Sequence, residues 1–388
     1  MREFNIQKKR SKRFLASLGM TDKIGMTGEP GMTGKNELTG ESGVALLIVI
    51  SAILIITIVI VEMTFNAQIF NALTRNRLES LQATELSKTG IEMAILELNI
   101  YKQITDKLKG KDAIQKALRG QAKKLLNFGF LYPPPITEEL SESMKSEFEE
   151  LEKKSALRGS VKSKIADLGG RINLNNFAKS KELSDATRFL LNSLLNLETN
   201  KDPVAREKYR DVNVANIVNN IADYIDPDRN KTGGGEENLW YQRQTPSRFA
   251  KNLPLDDITE LKLIEGIDEN IYSLLVDKVT IYGEKININT APKEILVALM
   301  PSIDEKELAE LLKLREEQPF ADQEDFEKYA KSTLRQDETF NTDPKIPLSG
   351  KSTIYSITSV AQVGRVTRKA DVVVEQDKEI KILSWEYS

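Results

Sequence analysis

The chain has 388 residues, about 40% of them hydrophobic, so it is long and apolar enough to bury a core and to form more than one domain. It contains no cysteine and no histidine, which excludes disulfides, thiol nucleophiles, histidine-based catalytic triads and the usual zinc and copper sites. The net charge of −3 gives no general electrostatic reason to bind a nucleic acid, so no nucleic-acid partner is expected.

Residues 1–43 are basic compared with the rest of the chain. They hold eight Lys or Arg and five Asp or Glu, a net charge of +3 that leaves −6 for the remaining residues. Basic residues that precede an apolar segment tend to stay in the cytoplasm. The charge pattern therefore predicts a cytoplasmic N-terminus and an exported C-terminal body.

Residues 44–61 carry no charge and read VALLIVISAILIITIVIV. A helix of this length, at about 1.5 Å per residue, spans roughly 27 Å, close to the thickness of the hydrocarbon core of a bilayer. A cleavable secretory signal would have a shorter apolar region and a small-residue cleavage site after it, and no such site follows. We therefore predict one transmembrane segment, for which a plain membrane anchor is the simplest alternative.

Residues 62–100 are predicted to continue the same helix on the outer side of the membrane. No Gly or Pro occurs from Val44 to Thr89, so nothing in that range ends a helix. Apolar residues such as Leu73 and Leu81 are interspersed with Asn, Arg, Gln and Glu. This amphipathic pattern predicts packing on the chain's own globular domain and on neighbouring subunits.

A glycine, Gly43, stands directly before the apolar run, and the residues at this junction are Gly-Val-Ala-Leu-Leu. The junction resembles the opening of the minor pseudopilin K family of the bacterial type II secretion system. The resemblance implies that residues 1–43 are a prepilin leader, that a prepilin peptidase cleaves between Gly43 and Val44, and that Val44 is then N-methylated. It also implies a single-pass protein of the bacterial inner membrane with its body in the periplasm.

The fifth residue after the junction is Ile48, where most pilins and pseudopilins carry a glutamate that neutralises the N-terminal ammonium of an adjoining subunit. Because an unpaired carboxylate is costly in hydrocarbon, its absence suits a subunit with no neighbour above it. The resemblance implies a place at the tip of the pseudopilus, where the subunit initiates assembly for the export of folded proteins. The implied partners are the I-type and J-type minor pseudopilins, the prepilin peptidase and the inner-membrane secretion platform.

The exported body is predicted to combine a sheet with helices. Residues 101–178 and 345–388 form a pseudopilin-like α/β domain, because β-branched, alternating runs occur at Arg158–Asn176 and in three segments from Ile354 to Trp385. Residues 179–344 have helical periodicity and form an inserted α-helical domain, in which Ser302 and Glu305 fit a capping box at a helix start. The predicted fold class is α+β, with a pilin-like long N-terminal helix packed on an antiparallel sheet and a large inserted α-helical domain.

The densest group of side-chain oxygens lies in one loop: Asp223, Asp226 and Asp228 are followed by three glycines and then by Glu236 and Glu237. Such a loop can surround a calcium ion, which takes six to eight oxygens, but the spacing is not that of an EF-hand and also suits a solvated loop at a helix end. The resemblance implies calcium, because K proteins carry a similar loop with bound calcium. All five acidic residues are therefore candidate ligands.

Residues 286–292, 299–303 and 315–320 resemble a helix-hairpin-helix unit, which presents backbone N–H groups to DNA phosphates. Acidic residues crowd this region, so we predict a structural helical repeat instead. No spacing marks a catalytic nucleophile or a phosphate-binding loop, and no enzymatic activity is expected. Two alternatives stay open: a membrane-anchored periplasmic DNA-binding protein that uses this hairpin, and a minor pilin of a type IV pilus.

Overall fold

The computed structural model describes residues 40–108, 118, 129–133, 159–334, 336, 340 and 344–388. Most of the predicted leader, residues 1–39, lies outside these ranges. The chain divides into two compact units, Met1–Phe70 and Asn71–Ser388.

One long helix is followed by short strands and helices in the middle of the chain and by three long strands at its end. In chain order the elements are α1 (Gly40–Lys107), β1 (Leu131–Tyr132), β2 (Ser160–Asp167), β3 (Ile172–Asn173), α2 (Lys181–Asn200), α3 (Pro203–Lys208), α4 (Val214–Ile225), α5 (Asn238–Gln242), α6 (Glu269–Leu275), β4 (Val279–Thr280), β5 (Ile286–Asn287), α7 (Lys293–Leu299), α8 (Glu305–Glu317), α9 (Gln323–Ser332), β6 (Leu348–Ser349), β7 (Ile354–Val363), β8 (Val366–Gln376) and β9 (Ile380–Tyr387). Two 3-10 helices span Leu174–Ala178 and Ile258–Leu263. The predicted α+β class, with a long N-terminal helix, an antiparallel sheet and additional helices, is confirmed.

Helix α1 is unbroken, as the absence of helix-ending residues predicts, and it is longer than the predicted range at both ends. It is also the one helix, among the described residues, that is long and apolar enough by length and composition to cross a membrane. Its apolar side chains from Val44 to Val61 are all exposed in the single chain. Such a surface is costly in water, which supports a membrane environment for this segment.

The three strands predicted at the end of the chain are present and lie side by side in a five-stranded antiparallel sheet, in which the last of them is an edge strand. The strand order is β1-β2-β7-β8-β9. Ile357 of β7 lies opposite Ile165 of β2 on one side and Val372 of β8 on the other, so one face of all three strands is apolar. Part of α1 covers this face, with Ile91 and Leu98 in the shared core.

Gly90 marks a close approach of α1 to the sheet. A Cβ atom at this position would lie 2.7 Å from Cγ2 of Val161 and would collide with the Ser359 hydroxyl. Both Gly90 contacts come from central strands, and Ser359 is completely buried. The absence of a side chain at Gly90 therefore lets the helix and the sheet come into contact.

Hydrogen bonds attach α1 to both ends of the β8 strand. The guanidinium of Arg368 donates to Oγ of Ser80 at 2.7 Å, near the β7–β8 turn. At the other end, the buried side-chain amide of Gln376 donates to the main-chain oxygen of Leu98 at 2.8 Å. The helix is thus fixed along the sheet as well as packed against it.

The helical part has its own core, which extends beyond the predicted limits of residues 179 and 344. Ile172, Leu174 and Phe177 lie in this core at one end, and Ile346 and Leu348 lie in it at the other. The reason is that the short parallel strand pairs β3–β4 and β5–β6 are buried among the helices instead of joining the main sheet. A strand-like sequence pattern therefore does not show whether a segment belongs to the main sheet or to the core of the helical part.

The helical part contains an internal duplication built on two Ile-Asn-x-Asn segments, residues 172–175 and 286–289. In each segment the first asparagine accepts a hydrogen bond from the main chain of the second, at 2.9 and 3.0 Å. The second asparagine then pairs with both main-chain groups of one distant residue. Asn175 pairs in this way with Leu255, and Asn289 pairs with Phe320, at distances of 2.7–2.9 Å.

The capping box predicted for Ser302 and Glu305 is wrong by two residues. Helix α8 has Asp304 as its N-cap, whose carboxylate accepts from the Glu307 N–H at 2.7 Å, while the Glu307 carboxylate accepts from the Asp304 N–H at 3.2 Å. The predicted pair, Ser302 and Glu305, and the observed pair, Asp304 and Glu307, have the same three-residue spacing, so spacing alone does not distinguish them. A carboxylate at the N-cap also gains from the helix dipole.

Replacing Gly90 with alanine tests the close approach of α1 to the sheet. Although alanine favours helices, the added methyl group collides with Ser359 and Val161, so we expect Gly90→Ala to lower the free energy of unfolding by about 1–3 kcal/mol. Urea unfolding of the full chain in detergent measures this. Gly43→Ala, in the same helix but away from the sheet, is the control and should not destabilise. Equal stability of Gly90→Ala and the unmodified chain would refute the packing argument.

Candidate processing site and cation-binding loop

The predicted junction between Gly43 and Val44 lies inside helix α1. Gly43 has no positive φ angle, and a Cβ atom placed on it would have no neighbour within 4 Å outside its own helix. Glycine in a helix costs about 1 kcal/mol relative to alanine. In the described part of the chain, therefore, neither backbone conformation nor packing explains a glycine here, in contrast to Gly90.

Ile48 lies one turn further along the same apolar surface. Its side chain is 63% exposed in the single chain, and Val44 is 57% exposed. Both side chains are therefore available to contact lipid or a neighbouring helix.

The acidic loop connects α4 to α5. Helix α4 ends at Ile225, with Asp226 as its C-cap, and α5 begins at Asn238. Between them Gly233, Gly234 and Gly235 have φ angles of 92°, 96° and 106°, a region that side chains disfavour. The glycines thus allow the loop to fold back, and Asn230 pairs with Glu236 across it.

Asp223 is buried and fixes this loop. One carboxylate oxygen accepts from the Thr232 N–H at 2.9 Å, and the other accepts from the Thr232 hydroxyl. The side chain is only 2% exposed. Both of its oxygens have partners, so Asp223 positions the loop in the structure as described.

Asp226 and Glu237 each have a buried carboxylate oxygen without a hydrogen-bond partner. Burial, with the charges of Asp228 and Asp223, raises the pKa of Asp226 to about 6. Burial also raises the pKa of Glu237 to about 7, against the hydrogen bond from Asn252, and the three aspartates add to the rise. The loop therefore concentrates negative charge that its own donors do not neutralise.

The other two predicted ligands differ from this pair. Asp228 lies close enough to raise both pKa values, and its carboxylate accepts from the Asn230 N–H at 2.7 Å. Glu236 is exposed and, unlike its neighbour Glu237, has no unpartnered buried oxygen. Of the two glutamates, Glu237 is thus the better candidate ligand.

These carboxylates do not converge on one point. Within the described residues, no group of three or more Asp or Glu side chains is placed so that it could hold a metal ion. The unpartnered oxygens fit a hard cation such as calcium in their chemistry. However, a bound cation would need a rearrangement or further oxygen ligands.

Asn252 also contacts this site, although no spacing pattern in the sequence singles it out. Its side-chain amide donates to the Glu237 carboxylate at 3.2 Å and to the main-chain oxygen of Asp228. Its φ angle of 48° is positive, which is uncommon outside glycine and best tolerated by asparagine. Asn252 therefore belongs to this site, although it lies outside the acidic loop in the sequence.

The hairpin formed by α7 and α8 does not offer a phosphate site at its helix start. The carboxylates of Asp304 and Glu307 already accept from main-chain N–H groups there. Arg315, in the helix-hairpin-helix-like segment, donates to the main-chain oxygens of Ile288 and Ala291 at 2.9 and 2.7 Å. These contacts support a structural role for the hairpin.

Comparisons with known proteins match both halves of the helical part. A family model described as type II secretion system protein K matches residues 170–284, and a second model with the same description matches residues 286–343. The helical part of the chain is thus similar to type II secretion system protein K over residues 170–284 and 286–343. The border between the two models falls between the two duplicated Ile-Asn-x-Asn segments.

Individual protein K relatives match shorter stretches. The putative type II secretion system protein K of Escherichia coli strain K12 is 42% identical over 80 residues, which cover 20% of this chain and 24% of that protein. The type II secretion system protein K of Klebsiella pneumoniae is 32% identical over 88 residues, which cover 21% and 27% of the two chains. The match thus spans about a quarter of each relative.

A solved structure shares the fold. One chain of the crystal structure of the GspK-GspI-GspJ complex from enterotoxigenic Escherichia coli matches with a TM-score of 0.55 and 20% identity. The match covers 81% of this chain and 99% of that one. A fold with a long helix, a sheet and added helices is therefore already known from a solved structure.

Neutralising Glu237 should stabilise the ion-free chain above neutral pH. Its folded-state pKa of about 7 lies above the ordinary value of 4.5, so the stability linked to its proton is present at low pH and is lost as the pH rises through 7. In EDTA, we expect Glu237→Gln to raise the free energy of unfolding by about 1–2 kcal/mol at pH 8 and to change little at pH 5.

The matched control is Glu236→Gln, which removes the adjacent exposed charge. Thermal unfolding followed by circular dichroism at both pH values compares the three proteins. A loss of stability in Glu237→Gln at pH 8 would contradict the assignment of an unpartnered oxygen to the Glu237 carboxylate.

Proposed function

We propose that this chain is a minor pseudopilin of a type II secretion system that is processed at Gly43, occupies the tip of the pseudopilus and initiates its assembly. The body would lie in the periplasm, and the function would be assembly rather than catalysis. The observation that carries the proposal is Gly43, a helical glycine without a structural reason, directly before the membrane-spanning segment of a chain similar to protein K.

Recognition by a processing enzyme would explain why residue 43 is a glycine, which the fold does not explain. A prepilin peptidase that cuts after Gly43 would remove the basic leader and leave the apolar helix on the mature protein, with Val44 as its first residue. Methylation of the new amine would follow. The positive charge of residues 1–43 favours a cytoplasmic position for this cut.

Ile48 supports the tip position. A subunit in the middle of the filament would gain from a carboxylate that pairs with the ammonium of the neighbour above it, because charges in hydrocarbon need partners. An isoleucine cannot provide this pairing. The complex of GspK with GspI and GspJ supports I-type and J-type minor pseudopilins as the partners below.

Changing Ile48 tests the proposed assembly. We expect Ile48→Glu to reduce the recovery of the full chain with co-produced I-type and J-type subunits several-fold, because a carboxylate without a partner in the apolar segment costs up to about 3 kcal/mol. Ile48→Leu, of equal apolar character, is the control. Affinity isolation from detergent-solubilised membranes measures the recovery. Undiminished recovery of Ile48→Glu would contradict a tip subunit, and retardation of DNA by the purified chain would favour the DNA-binding alternative.

Calcium is the second part of the proposal. The unpartnered oxygens of Asp226 and Glu237, with Asp228 beside them, would bind the ion, and Asp223 would hold the loop in position. Bound calcium would supply positive charge to this acidic pair and would join the two ends of the loop. Glu236 would contribute only after a change of the loop.

A calcium titration of the full chain in detergent tests this part. Calcium at about 100 times its Kd should stabilise the chain by about 2.7 kcal/mol, seen as a rise in the melting temperature. Glu237→Gln should lose most of this rise, whereas Glu236→Gln should keep it. The absence of both binding heat and a melting shift in the unmodified chain would overturn the calcium proposal.

A further inference from the structure

The acidic loop needs more oxygen ligands than its carboxylates provide. Calcium takes six to eight oxygens, and no three acidic side chains in the described part of the chain are placed to hold a metal ion together. The buried Glu237, only 4% exposed, nevertheless has one oxygen without a partner. Any further protein ligands must come from main-chain carbonyl groups or from neutral side chains near Glu237, and water can complete the shell.

Asn252 is the neutral side chain in this position. Its Nδ2 atom donates to two oxygens, Oε2 of Glu237 and the main-chain oxygen of Asp228. These two oxygens come from opposite ends of the acidic loop. The side-chain NH2 group therefore bridges the loop in the way that a cation would bridge it.

The backbone of Asn252 is held independently of its side chain. Its N–H donates to the main-chain oxygen of Tyr224 at 2.9 Å, one residue before the end of α4. Nearby, the Asn238 side chain accepts from the Ala250 N–H at 2.9 Å. The main chain thus keeps the amide of Asn252 beside the acidic loop whichever way the amide is turned.

An asparagine amide has a donor and an acceptor of almost the same shape. Rotation of the amide by half a turn exchanges the Nδ2 and Oδ1 atoms and turns a donor to oxygens into an oxygen ligand for a cation. We propose that Asn252 is a ligand of the cation site, providing Oδ1 after this rotation, together with the main-chain oxygen of Asp228 and the Glu237 carboxylate.

This proposal rests on the proposed calcium binding and adds a switch between two states. Without the ion, the NH2 group satisfies the two loop oxygens. With the ion, the same oxygens bind the cation and the amide oxygen joins them. The loop ends thus keep a common partner in both states, and the loop need not open between them.

Terbium luminescence in the full chain separates a ligand from a residue that only supports the loop. Tb³⁺ replaces calcium, Trp240 on α5 can sensitise it, and the decay rates in H₂O and D₂O give the number of bound water molecules. Asn252→Gly keeps the left-handed backbone and removes the amide. We expect it to weaken Tb³⁺ and Ca²⁺ binding by about tenfold or more and to add about one bound water.

Two further variants complete the experiment. Asn252→Asp supplies an oxygen of the same geometry, so we expect it to bind Ca²⁺ at least as tightly as the unmodified chain while lowering the melting temperature in EDTA, where it repels Glu237. Asn238→Ala loosens the same segment without removing a proposed ligand and should leave the number of bound waters unchanged. The melting temperature in EDTA checks that each variant folds.

The outcomes distinguish the two proposals. If the unmodified chain binds neither ion, the calcium proposal and this inference both fail. If the unmodified chain binds calcium, and Asn252→Gly has the same affinity and the same number of bound waters, calcium binding stands and Asn252 is not a ligand. A loss of affinity in both Asn252→Gly and Asn252→Asp, with no added water, would also overturn the ligand role.

Discussion

The side-chain amides of Asn175 and Asn289 each pair with both main-chain groups of one distant residue, and the helical part depends on these two pairings. An amide side chain offers a donor and an acceptor like those of a peptide group, so it can close a loop where no strand partner exists. Without it, two main-chain groups would be left unpaired, at a cost of about 1–3 kcal/mol each. Asn289 also donates to the main-chain oxygen of Gly350 at 2.9 Å, in the segment that leads into β7.

The acidic loop differs from these two pairings, because it buries carboxylate oxygens that have no hydrogen-bond partner. Thr232 neutralises none of the charge of Asp223, and Asp226 and Glu237 each retain an unpartnered oxygen. The proposed cation would offset the cost of this burial, because a ligand that binds only the folded chain stabilises it. The loop and the amide of Asn252 are therefore better understood as one site than as a helix end with a nearby turn.

Much of the fold follows from local patterns in the sequence, and the remainder depends on distant contacts. The apolar run before Val61, the absence of helix-ending residues after it and the alternation in β7 were enough to predict the helix and the sheet. The core position of Ile172 was not predictable, because a two-residue strand has no period and its partner is more than 100 residues away. The repeated Ile-Asn-x-Asn segments do signal a duplication, but Leu255 and Phe320 carry no mark as their partners. At the loop, the acidic residues stand out in the sequence, whereas burial alone distinguishes Glu237 from Glu236.

Two glycines of α1, Gly43 and Gly90, differ in what explains them. Gly90 is explained by the sheet that it touches, whereas no contact in the described chain explains Gly43, which is the observation behind the proposed cut after it. The most direct test is the intact mass and N-terminal sequence of the full chain made with and without a prepilin peptidase. We expect a methylated product that begins at Val44 when the peptidase is present, and an uncut chain for Gly43→Val. A product that keeps residues 1–43 in the presence of the peptidase, or one that is cut after Ala52, would contradict it.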